Sequence, residues 1–105
     1  MVAMDSIRAR IKARHYLLSK HATDQLIVRD ISVAEVEQAL LGEAELIEDY
    51  PQDKYGPSCL ILGYTNTGRA LHVQCAYSDP MIVKIVTVYE PDPGRWIEMR
   101  IRRRE

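Results

Sequence analysis

ISVAEVEQALLGEAELIEDY, residues 31–50, contains a helix start, a helix end and a change to strand periodicity in one stretch. Ser32 and Glu35 have capping-box spacing, in which each side chain satisfies the other residue's backbone amide. Ile31 and Val36 stand where a hydrophobic staple places its two apolar residues. Val33, Val36 and Leu40 give a stripe at helical spacing, and Gly42 follows where a left-handed turn is easiest. This pattern predicts a helix over 33–41. Beyond Gly42 the apolar period falls from about 3.6 to about 2, and 44–50 reads as a strand whose Glu45, Glu48 and Asp49 suit a sheet edge.

Toward the C-terminus, 58–65 and 69–77 alternate as strands around Asn66-Thr67-Gly68, a three-residue hairpin loop with Gly at its left-handed position. If Thr65 faces Arg69, then Cys59 faces Cys75, Ile61 faces Val73 and Gly63 faces Leu71. A fourth strand is expected over 82–89, and the alternation of Ile97, Met99 and Ile101 suggests a fifth. Toward the N-terminus, Ser19 is placed to cap a helix over about 20–29, joined closely enough to the next helix to form a tight pair. Tyr16 to Leu18 look extended, and 5–14 forms a short helix with a thin stripe of Ile7 and Ile11. Helices followed by a run of strands predict an α+β fold: N-terminal helices on one face of a four- to five-stranded antiparallel sheet.

The 105 residues suit one domain, taken as 1–105, and 47% apolar with 28% charged residues is a globular balance. No apolar run has membrane-span length, and MVAMDSIRAR lacks the apolar core of an export signal. With two cysteines and no export signal, the expected location is the cytoplasm, with both thiols reduced. Net charge is -1, but residues 1–29 hold six Lys/Arg against two Asp/Glu, residues 30–55 one against eight, and residues 56–105 seven against five. A strongly basic chain is thereby excluded, while a local basic face is not.

The hairpin register puts the Cys59, Ile61, Val73 and Cys75 set under the helices. It leaves Leu60, Leu62, Tyr64, His72 and Gln74 on the opposite face. Placing Val83 and Ile85 with the core adds Lys84, Val86 and Val88 to that second face. A partly apolar sheet face needs a cover: more chain, a second subunit or a partner. No metal-ligand spacing, phosphate loop, dinucleotide fingerprint or GxSxG elbow occurs, so no metal or cofactor is expected. The chemistry these residues support is metal-free RNA cleavage. His72, His21 and Tyr89 are candidates to move a proton or orient the nucleotide, and Arg69, Lys84 and Arg29 to hold phosphate. Each also has a plain structural reading: a hydrogen-bonded strand histidine, a solvated lysine, a hairpin-end charge.

Three stretches carry a family resemblance: LSKHATDQLIVRDIS, YPQDKYGPSCLILGYTNTGRALHVQC and IVKIVTVYEPDPGRW. Over about residues 16–99 the combination of Leu18-Ser19-Lys20-His21, Arg29-Asp30-Ile31-Ser32, Gly68-Arg69-x-x-His72 and Thr87-Val88-Tyr89-x-Pro91 resembles the bacterial domain of unknown function 4258. That family is similar to the RelE-like and BrnT-like toxins of toxin–antitoxin pairs. The resemblance implies a RelE-like fold, endoribonuclease activity on RNA alone or at the ribosome, and a masking protein partner such as a zinc-ribbon antitoxin. It brings no established catalytic set. The competing reading is a non-catalytic binding module of the same fold, pairing through a sheet edge or its second face, or working as a homodimer.

Overall fold

The computed structural model describes residues 3–54 and 56–104; Met1, Val2, Glu105 and the loop residue Tyr55 lie outside the described residues. The elements run α1 (Met4–Lys12), β1 (Tyr16–Leu18), α2 (Lys20–Val28), α3 (Val33–Leu41), β2 (Glu45–Tyr50), β3 (Ser58–Tyr64), β4 (Ala70–Ala76), β5 (Val83–Tyr89), β6 (Trp96–Ile97) and β7 (Ile101–Arg102). The fold is α+β. The main sheet has five strands in the order β1-β5-β4-β3-β2.

That sheet is mixed rather than antiparallel. β1 runs parallel to β5, with Tyr16 beside Val83 and Leu18 beside Ile85. The partners lie more than sixty residues apart, so no turn signal announces the pairing. The anticipated fifth strand over 97–101 is instead a separate two-stranded hairpin, β6–β7. The chain reverses between its strands through Glu98 and Met99, at φ 51° and 64°. Alternation continues across this reversal, which is why it reads as one strand.

The capping box forms: the Ser32 hydroxyl accepts from the Glu35 amide at 3.0 Å, and Glu35 accepts from the Ser32 amide at 2.9 Å. Ser19 caps α2 by accepting from the Ala22 amide. Gly42 ends α3 without the expected left-handed turn, at φ -84° and ψ -144°. The buried stripe of α3 is Val36, Ala39 and Leu40, while Val33 turns outward in the first turn. The main helical neighbour of α3 is α1, and α2 lies along β5 rather than forming a tight pair with α3. The thin stripe of α1 suffices, since Ile7 and Ile11 are both fully buried.

The β3–β4 register is as expected, with Cys59 opposite Cys75, Ile61 opposite Val73 and Gly63 opposite Leu71. Gly68 takes φ 84° in the hairpin loop. Both cysteines are buried free thiols in the core beneath the helices. Burial pushes the Cys59 thiol up to about 12, which keeps it protonated and unreactive. β2 occupies the sheet edge, as its acidic residues suggest. One phase assignment changes. A bulge between the Cys75–Ile85 and Gln74–Thr87 pairs inserts Val86 as an extra residue in β5. Beyond it the alternation inverts, so Val88 enters the core and Thr87 and Tyr89 join the second face.

Candidate functional site

The second face of the sheet is divided into a covered half and an open half. Leu60 and Leu62, 3% and 1% exposed, lie in the covered half with His72 and Tyr89. The cover is the β6–β7 hairpin. Trp96 meets the His72 ring edge-on, with centroids 4.5 Å apart. Arg100 binds Glu45 and Arg102 binds Glu48, each at 3.0 Å, which ties the hairpin to β2. Arg102 also lies over the Trp96 ring at 4.6 Å. More chain therefore supplies the cover that the apolar second face requires.

His72 is fully buried, not half-exposed as a strand histidine on an open face would be. Its Nε2 lies 2.5 Å from the Met99 carbonyl oxygen. A carbonyl only accepts, so Nε2 carries the proton, and Nδ1 accepts from the Tyr89 hydroxyl at 3.1 Å. Burial pushes the His72 pKa down, opposed by the Met99 carbonyl and the Glu48 carboxylate. The ring is thus a neutral connector between β4, β5 and the hairpin turn. That turn holds two non-glycine residues at positive φ, a costly conformation that the His72 bond helps to fix.

Arg69 lies elsewhere. Its guanidinium donates to the Asp30 carbonyl at 2.8 Å, the Arg29 carbonyl at 2.9 Å, Glu90 at 3.0 Å and Glu35 at 3.3 Å. It closes the C-terminal end of α2, where unpaired carbonyls and the helix dipole both favour a cation. These ligands come from the α2–α3 junction, from α3 and from the end of β5, which makes Arg69 a clamp. Arg69→Met should cost about 1–2 kcal/mol, between the values for exposed ion pairs and for charged hydrogen bonds. It should also speed amide exchange at residues 29–32. Unchanged urea unfolding and exchange would remove the clamp role.

The six expected residues do not converge. His72 and Tyr89 form one pair. Arg29 and Arg69 meet through the Arg29 carbonyl, with the Arg29 side chain exposed. His21 is exposed on α2. Lys84 stands in the open half of the second face, in a cleft of about 470 Å³ lined with Gln74, Ser58, Asp53 and Ser19. There Gln74 donates to the Ser58 hydroxyl at 3.2 Å, and that hydroxyl donates to Asp53 at 3.4 Å. Ser58 shares the parity of Leu60 and Leu62 and was legible as a second-face residue. Asp53 comes from a loop and carried no such signal. Among the described residues no group of three His, Cys, Asp or Glu is placed to hold a metal, and no helix is long and apolar enough to cross a membrane.

A second surface stands out beside β1. Leu18, Leu26, Ile27, Ile31 and Val33 line an apolar groove of about 440 Å³ between β1, α2 and the start of α3. Ile27 is 76% exposed, and Leu17 on the neighbouring strand is 59% exposed. The Val83 amide donates to the His15 carbonyl and the Ser19 amide donates to the Ile85 carbonyl. In a parallel ladder that phase turns the peptide groups of Tyr16 and Leu18 toward the free edge.

No curated protein and no solved structure matches the chain. A family model described as "Domain of unknown function (DUF4258)" matches residues 18–90, from the last residue of β1 through the end of β5, well over half of the sequence. The chain belongs to the DUF4258 family.

Proposed function

We propose that the domain works by binding a protein partner, which adds an extended segment to the free edge of β1 and sets an apolar side chain into the adjoining groove. The observation that carries this reading is the juxtaposition of an open strand edge with the groove formed by Leu18, Leu26, Ile27, Ile31 and Val33. Backbone hydrogen bonds to an edge give affinity, and a pocket beside it gives specificity. On the resemblance read from the sequence motifs to RelE-like and BrnT-like toxins, the partner is an antitoxin-like protein encoded nearby. Ile27→Glu and Leu17→Glu alter exposed side chains, so they should leave the fold intact. Co-expressed with the product of the adjacent gene, the native chain should co-purify with it and the double variant should not. Equal recovery of both, or of neither, would overturn the reading.

Metal-free RNA cleavage is the second reading, favoured by the Tyr89 phenol hydrogen-bonded to His72. Burial raises the phenol's pKa, and Arg102 and, least of all, Arg29 oppose that rise. Here the β6–β7 hairpin must leave before RNA reaches either residue, because a general acid or base has to touch its substrate. Lys84 remains available for phosphate, whereas Arg69 would first have to release four partners. Partner-free protein incubated with RNA, with and without translating ribosomes, tests this. Cleavage that persists in His72→Phe would exclude His72 as the proton carrier.

A further inference from the structure

We infer that Arg95 and Arg103 form a binding site for a phosphate group on the outer face of the β6–β7 hairpin. The hairpin pairs Trp96 with Arg102 and Ile97 with Ile101. The Arg103 amide donates to the Arg95 carbonyl at 2.8 Å, which extends the ladder by one pair. Arg95 therefore stands directly opposite Arg103, and directly opposed residues share a face. Trp96 occupies the other face, against His72. Two like charges in this arrangement repel and destabilise the pair unless an anion lies between them. No carboxylate among the described residues forms an ion pair with either.

Arg95 and Arg103 line a notch of about 330 Å³ together with Gly94 and Arg102. Arg103 is held in place by donating from Nε to the Pro93 carbonyl at 3.0 Å. Its terminal nitrogens remain for a ligand. Arg102, bound to Glu48, contributes field at the rim. Arginine forks match the oxygens of a phosphate in pairs, and the three or more oxygens of a phosphate can engage both forks at once. Such a group is available from a small phosphate or from a nucleic-acid strand. Residues 95–103 contribute nothing to the β1 edge or its groove, so the site is independent of the β1-edge reading.

The chain has one tryptophan, Trp96, adjacent to the notch and stacked under Arg102, so its fluorescence reports occupancy. Inorganic phosphate and a short single-stranded oligonucleotide are titrated separately against the native protein, Arg95→Ala/Arg103→Ala, and Arg14→Ala as a distant-charge control. At least one probe should bind the native protein, and the double variant should bind it about tenfold or more weakly, with Arg14→Ala unchanged. If inorganic phosphate suffices, the source is a small phosphate. If only the oligonucleotide binds, with a salt dependence reduced by one to two counterions in the double variant, the source is a strand. A second readout, independent of the binding assay, accompanies the titration. Arg95→Glu should raise the melting temperature in phosphate-free buffer, where it replaces repulsion with attraction, and lose that advantage when phosphate is added. Failure of both probes to bind, equal loss in Arg14→Ala, or an Arg95→Glu protein no more stable than native without phosphate overturns the site.

Discussion

Replacing His72 with alanine is expected to destabilise the protein by about 2–4 kcal/mol, near the cost of truncating other fully buried rings. The substitution removes a side chain with no exposed surface, opens a cavity beneath Trp96 and strands two polar groups. These are the Met99 carbonyl and the Tyr89 hydroxyl, both bonded to the imidazole. Loss of the Met99 bond also releases a turn held at positive φ in Glu98 and Met99, so the hairpin should detach first. Urea denaturation gives the magnitude, and faster amide exchange at 96–102 gives the location. His72→Phe keeps the volume and loses both bonds, and should cost less, about 1–3 kcal/mol. A His72→Ala protein of native stability would show that the ring contributes no packing.

The same residue sets a pH dependence. The unfolded chain takes up a proton at the ordinary histidine value of 6.5, and the folded chain resists it to a lower pH because the ring is buried. The unfolded state therefore binds more protons below about pH 6.5, and stability rises with pH there. His72's contribution is complete above the unfolded value. It declines as pH falls from about 6.5 toward the depressed folded value, with a limiting slope of about 1.4 kcal/mol per pH unit. Glu48, which burial pushes upward but Arg102 and Tyr50 together hold below its ordinary 4.5, adds a separate loss at more acid pH. His72→Phe should abolish the first decline and keep the second.

Local signals were legible where they act over a few residues. Ser32 and Glu35 fixed a helix start, Asn66-Thr67-Gly68 fixed a register, and that register put the two cysteines opposite each other. Features that depend on distant partners were not. Nothing in Tyr16-Leu17-Leu18 indicates a parallel neighbour at 83–85. The extra residue at Val86 leaves a plain apolar run and inverts the faces of Val88 and Tyr89. His72 and Arg69 illustrate the limit for sites. Both residue types are equipped for phosphoryl chemistry, and the hairpin register puts His72 on the second face, but fully buried rather than half-exposed. Access was decided by Trp96 and Met99 in one case and by Glu35, Glu90 and two helix-end carbonyls in the other.

The two hairpin glycines should respond very differently to alanine, and the one that sequence does not single out should dominate. Gly68 takes φ 84° in the loop, so alanine there pays about 1 kcal/mol for a left-handed backbone. Nothing lies within 4 Å of the added carbon, so no packing cost follows. Gly63 has no unusual dihedral and reads as one more core-face strand position. A Cβ at Gly63 would lie 2.2 Å from the Ala39 carbonyl oxygen, 2.6 Å from its carbon and 2.9 Å from the Ala39 Cβ. The backbone of α3 thus rests directly on β3 at this point. The first two obstacles are main-chain atoms that no rotamer change removes, so α3 must lift from the sheet. Overpacking commonly costs about 1–3 kcal/mol, and Gly63→Ala should reach or exceed the upper end. Adding Ala39→Gly deletes only the third obstacle and should restore little. Comparable unfolding midpoints for Gly63→Ala and Gly68→Ala, or full rescue by Ala39→Gly, would mean that α3 does not sit on the Gly63 backbone.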